Sequence, residues 1–265
     1  MHRMVYFFPL AYLTYSRLKS IKEWVSWFYL FPFFCLFSYR YYFTPACAPS
    51  FSLISFVIVF LAVMALYEIG YIYNDLRVVK VEVAPTLRVK NEWFVRNLYL
   101  LVGYRLIFVF VSVALFYIYS EQLCVSGSVL NFTVSLVCLG GAFYLHNVVR
   151  GPANILTFCV LSFLKYYAVL FLIKDTLFFI VIFASFTLIR TLEYASLKDY
   201  IKGRFAAFVV SDIDLFRAVY YSLIFSVFSV LAYFGVIRWN YLPVVVYFFV
   251  YRLAIYFLVS KRVVR

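Results

Sequence analysis

Eight stretches of roughly twenty mostly apolar residues run through this chain, near 24–43, 51–73, 97–119, 127–148, 153–173, 175–194, 215–237 and 241–260. A helix of about 20 apolar residues is the length that crosses the hydrocarbon core of a bilayer. Continuous runs of this kind do not alternate as membrane-barrel strands must. The composition agrees: 67% of the 265 residues are hydrophobic and 13% charged, and the mean hydropathy is +0.97. Soluble domains carry about 45–50% apolar and about 25% charged residues. No water-soluble interior of this size hides so much apolar surface. The expected fold is therefore all-α, a multi-pass transmembrane bundle of about eight spans formed by one domain over residues 1–265.

Charge placement orients the chain. The formal net charge is +13, but the basic residues form short clusters between apolar runs rather than a continuous phosphate-binding face, so nucleic acid is not an expected partner. Lys and Arg accumulate on the cytoplasmic side of membrane proteins. Arg3, Arg17, Lys19 and Lys22 fall on one side, as do Arg77, Lys80, Arg88, Lys90 and Arg96, then Arg150, then Lys198, Lys202, Arg204 and Arg217, and last Lys261, Arg262 and Arg265. The opposite loops contain Arg40, Lys174 and Arg238. Both termini are thus expected in the cytoplasm, with the chain in a plasma membrane and residues 1–23 as an uncleaved interfacial segment, since no small-residue cleavage site follows Leu13. Cys35, Cys47, Cys124, Cys138 and Cys159 show no metal-ligand spacing, and neither zinc nor a disulfide is expected.

The two longest loops on the basic side, 74–96 and 195–214, also hold most of the acidic residues. Glu68, Asp75 and Glu82 are spaced by seven, nearly two helical turns, which places them on one helix face. Asn74 adds a neutral oxygen. Oxygen donors of this kind suit Mg²⁺, which bridges carboxylates to substrate phosphate. Arg77, Lys80 and Arg88 would contact the remaining phosphate charge, although basic residues at a cytoplasmic helix end are expected on topological grounds as well. Glu68 stands out because it lies within an apolar run, where an ionisable group is costly and marks function by default. In the second loop, Glu193 and Asp199 are six apart and point to different helix faces. Tyr194, Lys198 and Lys202 accompany them. Asp212 and Asp214, with Ser211 in the cap position, read as helix N-terminal residues. Arg150, in the link after His146, is either an orientation charge or a phosphate ligand.

Asn74-Asp75 after the second span, with an acidic loop after the sixth, resembles the UbiA superfamily of intramembrane prenyltransferases. The family's first motif, N-D-x-x-D-x-x-x-D followed by Pro and basic residues, is matched by Asn74, Asp75 and, conservatively, Glu82, with Pro85-Thr86-Leu87-Arg88 behind them. Val78 stands at the middle carboxylate. The second motif, Y-x-x-K-D-x-x-x-D, is approached by Tyr194, Lys198 and Asp199, with Gly203 at its last position and Glu193 as the replacement carboxylate. The resemblance implies a bundle of eight or nine helices with a central cavity capped by the two acidic loops. It implies Mg²⁺ held by Asn74, Asp75, Glu82, Asp199, Glu68 and Glu193, with Asp75 and Asp199 catalytic. The diphosphate would meet Arg88, Arg150, Lys198, Arg77, Lys80, Lys202 and Tyr194. The partner so implied is a polyprenyl diphosphate whose prenyl group passes to an acceptor. Two alternatives share the site: sugar-phosphate transfer to a polyprenyl phosphate, and a lipid-phosphate carrier without catalysis. No protein partner is expected.

Overall fold

A proline one-third of the way along the first apolar run sets its local structure. Helix α1 covers Ala11–Arg17 and α2 Ile21–Phe28. Ser20 caps α2 reciprocally with Glu23, satisfying two otherwise orphaned amides. Pro32 has no N–H to donate, and the chain passes through a π turn, Tyr29–Phe33, before α3, Phe34–Tyr42. This computed structural model describes residues 3–43, 49–81, 88–89, 91–123, 125 and 127–263, and all regular structure among them is helical. Further helices are α4 (Pro49–Leu76), α5 (Glu92–Arg96), α6 (Leu98–Ile118), α7 (Val129–Val148), α8 (Asn154–Val169), α9 (Thr176–Ile182), α10 (Ile189–Leu197), α11 (Arg204–Ser211), α12 (Ile213–Tyr233) and α13 (Leu242–Val263).

Among the described residues, six helical segments are long and apolar enough to cross a membrane: Ser52–Leu76, Leu98–Ile118, Val129–Val148, Thr176–Leu197, Ile213–Tyr233 and Trp239–Leu258. The chain is a helical membrane protein. Of the eight expected spans, the one near 153–173 becomes the shorter apolar helix Asn154–Val169. The one near 24–43 runs without a break through α2, the π turn at Pro32 and α3, with Lys22, Glu23 and Arg40 along it, and is not among the six. Large apolar side chains such as Leu106, Ile107, Phe110 and Val111 of α6 are exposed, as a lipid-facing surface requires.

Two compact units make up the chain, Met1–Val149 with Leu164–Lys174, and Arg150–Phe163 with Asp175–Arg265. In the first, α4 is the central element. Lipid is as apolar as a side chain, so spans associate through close packing and hydrogen bonds rather than through burial from water. Accordingly α4 buries Ala62, Val63, Met64 and Ala65, and Gly70 lies directly against the Phe143 ring of α7. At its C-terminal end Tyr12, Ile72, Leu76, Phe94, Leu98 and Leu101 form one buried cluster. In the second unit a π turn, Phe183–Leu188, joins α9 to α10. Such a turn releases carbonyls from the helical ladder, and two neighbouring tyrosines of α12 use them. Tyr220 donates to the Ala184 carbonyl at 2.5 Å and Tyr221 to that of Ser185 at 2.7 Å. Asp175 caps α9 by accepting from the amides of Leu177 and Phe178, and Tyr241 donates to its other oxygen.

Candidate functional site

Three carboxylates singled out by the sequence are buried, and each is held by arginine. Asp75, in the last turn of α4, is 5% exposed. One oxygen accepts from Arg17 at 2.9 Å and from Arg88 at 3.5 Å, and the other from the Tyr12 hydroxyl at 3.2 Å. The Arg17 guanidinium also lies over the Tyr71 ring, 4.0 Å from its centroid. Two turns earlier, Glu68 is fully buried. One of its oxygens meets Arg105 at 2.9 Å, and the other accepts from the Leu13 amide at 2.6 Å. The spacing of seven therefore does place Glu68 and Asp75 on one face of α4, and that face receives α1. Glu82, Pro85 and Thr86 lie outside the described residues, as does the side chain of Lys80, which belongs to the turn Val78–Val81.

In the second unit, Glu193 of α10 is 2% exposed. Arg217 of α12 grips it with two bonds, Nε to Oε1 at 2.6 Å and a terminal nitrogen to Oε2 at 2.9 Å, and Arg190 adds a third at 2.6 Å. Asp199, by contrast, is exposed, with Lys202 at 4.0 Å. It adopts a positive φ of 56°, and Gly203 follows with φ 97°. Glycine at 203 thus has a backbone reason, since side chains other than glycine rarely adopt that conformation. Tyr194 is stacked face to face on Phe158, with centroids 4.2 Å apart. Lys198 and Arg150 are exposed. Asp212, rather than Ser211, caps α12 by accepting from the Leu215 amide; the Ser211 hydroxyl turns back to the Phe208 carbonyl of α11.

These donors fit guanidinium rather than a Mg²⁺ ion. A hard dication takes carboxylate oxygens that are free to coordinate, whereas both oxygens of Asp75, Glu68 and Glu193 already accept hydrogen bonds. Among the described residues no three His, Cys, Asp or Glu side chains gather at one point. Asn74, in the last turn of α4, is partly exposed. The expected metal ligands Asp75, Glu68 and Glu193 are instead the anchors of ion pairs. Two of those arginine partners, Arg105 and Arg190, carry a signal the sequence reading left unused, an ionisable residue inside an apolar run.

What the first unit does offer a ligand is a groove of about 340 Å³ between α4, α6 and α7, within the range of about 300–1,000 Å³ typical of small-molecule sites. Leu66, Ile69, Val102 and Phe143 give it apolar walls, and Arg77, Tyr99 and Asn147 line it as well. Arg77, one residue beyond α4, donates to the Tyr99 hydroxyl at 3.3 Å. The groove is thus an apolar slot with one cation among its lining residues, the arrangement that suits an amphiphile with an anionic head. The chain matches no protein-family model, no curated protein and no solved structure.

Proposed function

We propose that the chain binds a polyprenyl phosphate or diphosphate at the cytoplasmic face of its membrane, with the isoprenoid tail in the groove of the first unit and the phosphate against Arg77. The observation that carries this reading is the groove itself, apolar along α4, α6 and α7 and lined by a guanidinium at the end of α4. Arginine supplies a planar fork of donors suited to phosphate oxygens. Tyr99, already bonded to Arg77, orients that fork.

Prenyl transfer is the narrower reading, favoured by one observation: Asn74 and Asp75, the matched residues of the first motif, lie three and two residues before Arg77 in the last turn of α4. The engagement of Asp75 by Arg17 and Arg88 favours phosphate binding without catalysis. Both readings are tested on purified protein in nanodiscs. A labelled polyprenyl phosphate and its diphosphate are titrated against phosphatidylcholine, with and without Mg²⁺. Arg77→Ala is expected to weaken binding about tenfold, equivalent to about 1.4 kcal/mol, and Val102→Trp, which fills the groove, to weaken it further. Equal affinity for the phosphate lipid and phosphatidylcholine sinks the proposal. A covalent prenyl product makes the chain an enzyme; its absence with binding intact leaves a carrier.

A further inference from the structure

Among the described residues, the second unit contains a buried cation with no counter-ion of its own. Arg252 sits within the span Trp239–Leu258 and is 6% exposed. Its Nε is buried without a hydrogen-bond partner, and among the described residues no carboxylate lies within ion-pair distance of it. The contact it makes is a cation–π one with the neighbouring Tyr251, 5.2 Å from the ring centroid. Uncompensated charge in a membrane span is costly enough that such residues pair with something or face a functional cavity.

The carboxylates nearby are already engaged. Arg252 stands within electrostatic reach of Glu193, Arg217 and Tyr221. Glu193 is held by Arg217 and Arg190, Asp214 by Arg217, and the Tyr221 hydroxyl donates to the Ser185 carbonyl. Three guanidiniums therefore share two carboxylates, and one positive charge is left over. One helical turn after Glu193, the buried Ser196 hydroxyl also has no hydrogen-bond partner, a further donor on the same face of α10.

We infer that Arg252 forms an anion site inside the second unit, taking the oxyanion headgroup, phosphate or carboxylate, of a membrane amphiphile. A single excess cation calls for about one negative charge, and a guanidinium binds paired oxygens bidentately. Its depth within a span favours a ligand that arrives from lipid. The site shares no residue with the groove of the first unit and does not depend on the function proposed there.

The test is thermal unfolding of the detergent-purified protein, titrated separately with phosphatidic acid, oleate and inorganic phosphate at constant ionic strength. Phosphatidic acid or oleate is expected to raise the midpoint. Arg252→Met is expected to weaken that binding at least tenfold, with Arg252→Lys intermediate because it keeps the charge and loses the fork. Arg77→Ala should leave it unchanged, which separates this site from the groove. An equal response to inorganic phosphate would overturn the lipid origin of the ligand. Wild-type protein stabilised by none of the three, or Arg252→Met binding as tightly as wild type, overturns the site itself. Should Arg252→Met fail to fold, the wild-type titration and Arg252→Lys still decide it.

Discussion

Arg105 and Glu68 form an ion pair at 2.9 Å in which neither side chain has any solvent exposure. The pair does more than join α6 to α4. Arg105 also donates to the carbonyls of Leu101 and Tyr6, and Glu68 accepts the Leu13 amide. The N-terminal segment is thereby fastened at two points to charges buried in the first unit. Breaking a buried pair by removing one partner strands the other charge, typically at about 3–5 kcal/mol, while replacing both with apolar residues is often neutral. Glu68→Ala is expected to lower unfolding stability in detergent by about that amount, and Glu68→Leu combined with Arg105→Met to recover most of it. A double variant as unstable as the single one would mean the pair is needed for more than charge balance.

A third fastening point is Asp75, where Arg17 and Tyr12 of α1 converge. Asp75→Ala removes the acceptor for both, and α1 is expected to detach more often. Limited trypsin digestion after Arg17 and Lys19 should accelerate several-fold, with little change at Lys202. Unchanged cleavage would show that the buried apolar cluster of Tyr12 with Phe94 and Leu98 suffices to hold the helix.

Tyr12 also makes that fastening sensitive to alkali. Burial pushes its hydroxyl well above the ordinary tyrosine range, and the negative charge of Asp75 pushes it further. A tyrosine in the unfolded chain loses its proton near pH 10, while folded Tyr12 keeps it. Its contribution is therefore complete below about pH 10 and is lost as pH rises beyond. Wild-type stability should fall between about pH 10 and 11, and Tyr12→Phe should fall less steeply over that window. Parallel curves would remove Tyr12 from the linkage.

Why the helices were legible in the sequence and the ion pairs were not follows from what each depends on. A run such as 97–119 declares a span through length and composition alone, and α6 occupies Leu98–Ile118. The seven-residue spacing likewise put Glu68 and Asp75 on one face correctly. What faces them is a tertiary fact: the partners Leu13, Arg17 and Arg105 lie 37 to 58 residues away in the chain, and no local pattern announces that. Arg105 and Arg252 nevertheless sit in apolar runs just as Glu68 does, so the argument that singled out Glu68 applied equally to them. The two expected spans outside the six are 21–42, a continuous helical stretch that carries Lys22, Glu23 and Arg40, and the 16-residue α8, which is too short.

Gly70 makes the α4–α7 contact sensitive to a single methyl. A Cβ at this position would collide with the body of the Phe143 ring, itself packed edge-on against Tyr67 and Tyr71, so it has little room to withdraw. Overpacking of this kind typically costs about 1–3 kcal/mol. Gly70→Ala should lose that much in thermal unfolding, and Gly70→Ala combined with Phe143→Ala should lose less than the sum of the two single changes. Strict additivity would mean the ring moves aside freely.

Glu193 and Asp199, six residues apart and both read from the sequence as site carboxylates, should separate cleanly under mutation. Glu193 is buried in a span with two hydrogen bonds from Arg217 and one from Arg190. Glu193→Gln leaves those cations, and Arg252 with them, facing one another. A loss of about 3–5 kcal/mol is expected, reduced somewhat because Arg190 is 40% exposed. Asp199 is exposed on both counts, side chain and lysine partner, so Asp199→Asn should stay within about 0.5 kcal/mol of wild type. Measured side by side, unfolding midpoints and lipid-phosphate binding then distinguish structure from chemistry. If Asp199→Asn unfolds normally yet abolishes binding or turnover, the exposed carboxylate acts on the ligand. If it changes neither, Glu193 alone of the two is needed, as the carboxylate that holds α10 to α12.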